Sequence, residues 1–278
     1  MAETIAVLSQ KGGTGKTTTV RTLTDVLRRA GLNVLAVDLD PQGNLSDYFD
    51  VPADAEPTVG DVLLGNAKAK DAIHDGVLPA NLTLAEAELV LGGKMGRELT
   101  LRRALRDVKR SWDVILIDCP PALGLLTVNA LVAADHALIS AEAQYFAMQG
   151  VEQALEVFEL ARDGLNPDLN WLGVVLNIAD LRTVHSREAL NQLKEAYGDK
   201  VFETSVRSSI AYAESAERAK SILDHRADLG DDYVRLADEV LDRLGDREAR
   251  RRLRPLLAEA KSRADAASAR AAAATRTA

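Results

Sequence analysis

Short apolar runs alternate along the chain with longer amphipathic stretches. The helical patterns between most of the runs, such as residues 16–30, indicate parallel strands joined by helical crossovers. Two runs, at 34–37 and 114–117, are apolar at every position, as expected where helices cover both faces of a sheet. The pattern predicts an α/β fold, a mostly parallel twisted β-sheet with helices on both faces. The predicted strands are residues 4–8, 34–37, 82–84, 114–117, 137–140 and 172–176.

Composition favours a folded, untargeted chain. Of the 278 residues, 47% are hydrophobic and 27% are charged, and no apolar run approaches the roughly 20 residues that cross a bilayer. A single cysteine, Cys119, excludes an internal disulfide and fits a cytoplasmic protein. The net charge of −8 argues against a protein whose whole surface binds nucleic acid.

The composition changes near the C-terminus. From residue 246 onward there are nine Lys or Arg against four Asp or Glu, and the last residues are rich in alanine. We therefore predict one domain over residues 1–245 and, over residues 246–278, an Arg/Ala-rich helix that frays into a disordered tail.

A glycine-rich loop follows the first predicted strand and opens the first predicted helix. Small residues there let backbone N–H groups converge on phosphate oxygens, and the helix N-terminus adds its dipole. Lys16 is placed to reach the β- and γ-phosphates, and Thr17 to offer its hydroxyl to Mg²⁺. The usual phosphate-loop pattern has glycine where this chain has Gln10. The loop residues predicted to bind nucleotide on these grounds are Gly12, Gly13, Thr14, Gly15, Lys16, Thr17 and Thr18.

Three aspartates follow predicted strands. Asp38 and Asp40 come after the second strand and Asp118 after the run at 114–117, so all three should share the sheet edge that carries the glycine loop. Asp38 and Asp118 are predicted to hold the Mg²⁺ shell, through water rather than directly. The alternative is that such aspartates only cap or turn the chain.

The loop and the aspartate segments resemble a known family. Residues 11–17, KGGTGKT, are similar to the deviant Walker A loop of the ParA/MinD ATPases, and the likeness extends over roughly residues 3–244. The motifs at the aspartates resemble the chromosome- and plasmid-partition branch. Stretches similar to switch I, to Walker B with switch II, and to the segment after the next strand are residues 37–44, 117–121 with 123–127, and 143–150.

The resemblance implies a P-loop ATPase with ATP and Mg²⁺ as cofactors and a slow basal rate. It gives Lys16 to the subunit's own ATP, sends Lys11 across a homodimer interface to the partner's ATP, and makes Asp40 the residue that orients the attacking water. Many relatives have glutamate where this chain has Gln144, a position linked to the partner's ribose, so dimer affinity is expected to differ. The alternative for Lys11 is a solvated loop lysine.

The base site is predicted after the strand at 172–176. Asn177 and Asp180 there are similar to the guanine motif of GTPases, but Ile178 replaces the lysine that packs on guanine, which favours adenine. Alternatively, Asn177 closes a strand turn.

The resemblance also implies that the ATP dimer binds double-stranded DNA without sequence preference and is nucleoid-associated. Arg182 aligns with a DNA-contacting arginine of chromosomal ParA proteins, and Arg207 fits the start of a second basic segment. Arg218 and Lys220 are further candidates, since phosphate contacts need Lys or Arg. The alternative for each is a solvated surface charge.

Partners and alternatives follow from the same family. A ParB-like or cargo adaptor is expected to stimulate hydrolysis, with a centromere complex or a cell-positioned assembly as cargo. One alternative is a MinD-like division-site regulator whose C-terminal helix binds membrane, but the stripe of Leu253, Leu256 and Leu257 buries little area, so a membrane is not expected. A basic arm on DNA, a helix packed on its own domain and a solvated helix are the other readings of that segment. The remaining alternative is a P-loop metabolic kinase or synthetase in which Lys11 is incidental.

Overall fold

The centre of the molecule is a seven-stranded sheet in which every pair of neighbours is parallel. The computed structural model describes residues 2–144 and 146–277, with side chains as far as residue 270; Tyr145, in the segment similar to partition proteins, lies outside the described residues. The strand order is β3-β2-β4-β1-β5-β6-β7. This confirms the predicted α/β fold. The strands are β1 Glu3–Leu8, β2 Val34–Asp38, β3 Val77–Leu78, β4 Val114–Asp118, β5 His136–Glu142, β6 Asn170–Ala179 and β7 Val201–Arg207.

Helices cover both faces of this sheet. In β4, Ile115 and Ile117 pack into one hydrophobic cluster and Val114 and Leu116 into the other, so both sides of the strand are buried. The described residues contain twelve α-helices: α1 Lys16–Arg29, α2 Asn44–Tyr48, α3 Val59–Leu64, α4 Thr83–Gly92, α5 Thr100–Arg106, α6 Leu125–Ala133, α7 Ala147–Gly164, α8 Val184–Tyr197, α9 Ala211–Glu217, α10 Ile222–His225, α11 Ala227–Arg243 and α12 Arg247–Thr277.

The strand predicted at residues 82–84 is wrong. Leu82 is the N-cap of α4, which begins at Thr83, and the Asn81 side chain before it accepts hydrogen bonds from the backbone N–H and the hydroxyl of Thr83 at 3.0 and 2.6 Å, which turns the chain into the helix. The strand on that side of the sheet is the two-residue β3. The edge strand β7 was not predicted at all.

Helix α12 packs on its own domain. Ala249, Leu253 and Ala260 are buried in the cluster that also holds α1 and α11. Arg250 forms an ion pair with Asp238 at 2.8 Å, and α12 is therefore attached to α11 by both charge and apolar packing. The fraying predicted for the end of the chain concerns residues beyond 270, whose side chains lie outside the described part. Among the described residues, none of the helices combines the length and hydrophobicity needed to span a membrane.

Candidate functional site

A cavity of about 940 Å³ opens at the carboxyl edge of the sheet. The loop between β1 and α1 forms one wall, and Gly13 and Gly15 have φ of 79° and 83°, a left-handed conformation that glycine adopts without strain. A Cβ on Gly15 would stand 3.3 Å from the Asn177 side chain, so the loop and β6 approach each other closely. The predicted loop residues that line the cavity are Gly12, Gly13, Gly15, Lys16, Thr17 and Thr18.

Lys16 and Thr14 occupy different sides of this loop. Lys16 lines the cavity with only 6% of its surface exposed, and its Nζ donates a 3.0 Å hydrogen bond to the Ser9 hydroxyl. Thr14 is not among the lining residues. Its hydroxyl donates to Ser9 at 2.9 Å and its carbonyl accepts from Ser140 Oγ at 2.7 Å. Thr14 therefore fixes the loop from behind.

The three predicted aspartates gather at the end of the sheet next to this loop. Asp38 and Asp118 are paired in register as the last residues of β2 and β4. Asp38 accepts hydrogen bonds from the backbone and hydroxyl of Ser46 at 2.9 and 2.8 Å. Asp40 lines the cavity and accepts from the backbone N–H of Gln42 at 3.0 Å.

Burial makes the negative charge of the aspartate pair costly. It raises the pKa of Asp38 to about 6. The pKa of Asp118 is raised well above its usual range by burial and by the neighbouring Asp38 charge, against the effect of the Thr17 hydroxyl and the Lys16 ammonium. Neither carboxylate oxygen of Asp118 has a hydrogen-bond partner of normal geometry among the described residues. Two buried carboxylates, one with both oxygens unsatisfied, fit the outer shell of a hydrated divalent cation.

Lys11 lies outside the main cavity. Its side chain is 60% exposed, and its Nζ is 3.7 Å from Glu142 Oε2, across a small hollow on the far side of the glycine loop. Gln144 donates to the other Glu142 oxygen at 2.5 Å. The two lysines of the motif therefore point to opposite sides of one loop.

The two residues predicted for the base site are separated. Asn177 is buried and lines the cavity, and its amide donates to Ser140 Oγ at 2.6 Å and to Thr19 Oγ1 at 3.1 Å. Ile178 also lines the cavity, with a φ of 55° that is rare for a β-branched residue. Asp180 is not a lining residue, because its carboxylate turns outward to the Arg182 guanidinium at 2.8 Å.

Several aromatic residues line the same cavity and were not predicted. Tyr48 of α2, Tyr212 of α9 and Tyr233 of α11 come from three distant parts of the chain, which is why no local motif indicated them. Burial, together with the negative charge of nearby groups, raises the pKa of Tyr212, and burial raises that of Tyr233. Both phenols are therefore neutral and give this end of the cavity a flat, apolar lining.

The four predicted DNA-contacting residues fall into two groups. Arg207 lines the nucleotide cavity, and its Nε donates at 2.8 Å to Asp232, whose side chain is only 2% exposed. This ion pair fixes Arg207 to α11, although 48% of its side chain is exposed. Arg182, with 92% of its side chain exposed, and the exposed Arg218 and Lys220 lie in segments that follow the neighbouring strands β6 and β7.

Comparison with known proteins gives consistent matches over most of the chain. A family profile described as "AAA domain" matches residues 2–171. The chain is 39% identical over 249 residues to the sporulation initiation inhibitor protein Soj of Bacillus subtilis, covering 86% of this chain and 98% of that protein. It is 35% identical to the chromosome partitioning protein ParA of Caulobacter vibrioides, covering 88% and 96%. A solved structure of cobyrinic acid a,c-diamide synthase from Mycobacterium smegmatis with bound ATP analogue and magnesium superposes with a TM-score of 0.72 at 37% identity, covering 81% of this chain and 96% of that one.

Proposed function

Because this chain belongs to the ParA/Soj family of P-loop partition ATPases, we propose that ATP joins two copies of it into a dimer that binds DNA without sequence preference. The chain is an ATPase whose cofactors are ATP and Mg²⁺. A ParB-like or cargo adaptor would then stimulate hydrolysis, which separates the dimer and releases the DNA. Such a protein is associated with the nucleoid while it carries ATP.

The observation that carries this proposal is the placement of the two loop lysines. Lys16 is buried in the cavity beside the glycines, where one triphosphate would lie. Lys11 is exposed on the other side of the loop, lines the small hollow instead of the nucleotide cavity, and has its ammonium group 3.7 Å from Glu142. A lysine in that position is free to reach a nucleotide held by a second subunit, and a cation on a triphosphate in a dry interface is a strong contact.

The chemistry follows from the cavity residues. Mg²⁺ supplies positive charge to the β- and γ-phosphates when it is bound with ATP. Lys16 neutralises the same phosphates, Thr17 offers its hydroxyl to the cation, and Asp38 and Asp118 hold its water shell. Asp40 lies at the cavity wall with one oxygen fixed by Gln42, and we assign it to orient the water that attacks the γ-phosphate.

The tyrosines indicate where the base would lie. The adenine would sit against Tyr212, Tyr233 and Ile178, which line the same cavity as the phosphate loop. Aromatic and aliphatic side chains suit a flat apolar ring. Asp180 has no part in this arrangement. Asn177 would support the glycine loop, since it lies against Gly15 and hydrogen-bonds to Ser140 and Thr19.

DNA binding is assigned to the exposed cations. Arg182, Arg218 and Lys220 are exposed near the same edge of the sheet, so a dimer would present two copies of each. Contacts of this kind go to phosphates, which explains both the lack of sequence preference and a strong dependence on salt. The bidentate contact of Asp180 with Arg182 would have to open for Arg182 to take part.

The other candidate functions have less support. A MinD-like membrane helix would need α12 to leave α11, which would expose Leu253 and Ala249. A metabolic synthetase is consistent with the likeness to the cobyrinic acid a,c-diamide synthase. In that case Lys11 would be incidental, and Lys11→Ala would change neither ATP binding nor the oligomeric state.

The test is DNA retention measured at low salt with ADP, with ATP and with the Asp40→Ala variant. We expect retention with ATP, little with ADP, and longer retention of Asp40→Ala because it cannot hydrolyse the nucleotide. Arg182→Ala should weaken retention while the protein still dimerises with ATP. Equal retention with ADP and ATP would refute the proposed function.

A further inference from the structure

We infer that Ser9 is a positioning residue that joins the two loop lysines through a single hydroxyl group. The inference rests on the proposed function and goes beyond it, since it concerns how Lys11 is prepared for the partner's nucleotide. Ser9 directly follows β1 and is 2% exposed. Its Oγ donates to the Lys11 carbonyl at 2.8 Å and accepts from Lys16 Nζ at 3.0 Å and from Thr14 Oγ1 at 2.9 Å.

This set of bonds saturates the hydroxyl. A serine has one proton to donate and two lone pairs to accept with, and all three are in use. The donor is committed to Lys11, and the two acceptor positions to Lys16 and Thr14. No other hydroxyl among the described residues is bonded to both lysines.

Ser9 also stands between the two hollows of the site. It lines the small hollow that contains Lys11 and Glu142, whereas Lys16 lines the nucleotide cavity on the other side of the loop. The Ser9–Lys16 hydrogen bond therefore passes through the loop from one side to the other. A change on the nucleotide side reaches the partner side by this short path.

The two lysines depend on Ser9 in opposite ways. For Lys16, the Ser9 oxygen competes with a phosphate for the ammonium group, so loss of the hydroxyl should not weaken binding of the subunit's own nucleotide. For Lys11, the Ser9 hydroxyl donates a hydrogen bond to its backbone carbonyl. Within the described part of the chain, the other polar contact of Lys11 is the partly exposed ion pair with Glu142 at 3.7 Å, and such a pair holds a side chain weakly. Without the Ser9 hydroxyl, the backbone at Lys11 would lose this hydrogen bond, and the Lys11 side chain would no longer be held in the orientation that reaches the partner subunit.

The experiment compares Ser9→Ala and Ser9→Thr with the wild-type chain. Dimer formation is followed by sedimentation velocity as a nonhydrolysable ATP analogue is added with Mg²⁺, and ADP affinity is measured by fluorescence of a labelled ADP. We expect Ser9→Ala to need about tenfold more analogue to dimerise, the effect of one lost positioning hydrogen bond. The ADP affinity of Ser9→Ala should stay within about threefold of wild type, which is close to the free-energy change of a neutral substitution. Ser9→Thr keeps the hydroxyl and should dimerise like the wild type.

Ser215→Ala is the matched control. Ser215 is equally buried and its hydroxyl also donates to a backbone carbonyl, that of Tyr212 at 2.9 Å, but it is bonded to neither lysine. It should leave the analogue requirement unchanged. Ser9→Ala dimerising like wild type, or losing ADP and analogue binding in equal measure, would overturn the inference and leave the proposed function intact. If the wild-type chain itself remains a monomer with the analogue, the proposed function fails and this inference with it.

Discussion

Replacing Asp118 with asparagine should stabilise the nucleotide-free protein, and by more as the pH rises. The pKa of Asp118 is raised by burial and by the Asp38 charge, so the folded chain keeps a proton there that the unfolded chain gives up near pH 4. Above that pH the unfolded state therefore binds fewer protons than the folded state, and the stability falls. The fall continues until the pH reaches the pKa of the folded state.

The neighbouring carboxylate, Asp38, shows how large an effect of this kind can be. For Asp38, a rise in pKa from 3.8 to about 6 corresponds to about 3 kcal/mol of stability lost across that interval. Asp118 is equally buried, and neither of its carboxylate oxygens has a hydrogen-bond partner of normal geometry among the described residues, so its stability contribution should have the same sign and the same direction with pH. For a chain of this length, about 3 kcal/mol corresponds to a Tm change of about 6–12 °C.

The assay is calorimetric unfolding of wild type and Asp118→Asn between about pH 4.5 and pH 8, in EDTA and without nucleotide. The readout is the difference in Tm at each pH, in which the constant cost of burying the new amide cancels. Asp54→Asn, on an exposed loop, is the control and should follow the wild-type curve. With Mg²⁺ and ATP the wild type should gain more than the variant. Parallel curves for wild type and Asp118→Asn would refute the reasoning.

Two further substitutions test the packing. Arg207→Ala leaves the buried Asp232 with one arginine fewer and removes part of the cavity wall. We expect about 1–3 kcal/mol of destabilisation in urea unfolding, together with weaker ADP binding. Loss of DNA retention alone would instead mean that Arg207 is a DNA contact. Leu253→Ala should destabilise the chain by about 2–5 kcal/mol because this side chain of α12 is fully buried in the cluster with α1 and α11. The half-buried Leu256 is its control, and equal effects of the two alanine substitutions would contradict the packing described for α12.

Much of the site was predictable because its signals are local. Glycine spacing, the lysine pair and aspartates after apolar runs lie within a few residues of one another, and parallel strands bring such segments to one edge of the sheet. Asp38, Asp40 and Asp118 meet where the sequence predicts them. Strand β3 was not predicted because a strand of two residues has no periodic pattern. The apolar residues at 82 and 84 lie instead at the start of α4, next to the Asn81–Thr83 hydrogen bond.

The missed features depend on contacts between distant segments. The sequence predicts Arg207 as an exposed cation, and 48% of its side chain is exposed, but its contact with Asp232 on α11, 25 residues later, follows only from the fold. The tyrosines around the cavity likewise come from three helices. Asp180 was assigned to the base by its spacing from Asn177, but the Arg182 side chain two residues later turns its carboxylate away. A sequence motif gives the residue types, whereas the orientation of each side chain depends on its neighbours in space.

The docking of α12 has a consequence for how the chain is made. Leu253 and Ala260 complete the same apolar cluster that contains Leu27 and Ala30 of the first helical segment, and Arg252 donates to the Gly31 carbonyl at 3.2 Å. On a ribosome α1 emerges long before α12, so the face of α1 that α12 covers stays exposed until more than two hundred further residues have been translated. Early release or a stalled ribosome would therefore leave a nascent chain whose apolar surface is exposed to solvent, and chaperones bind such surfaces.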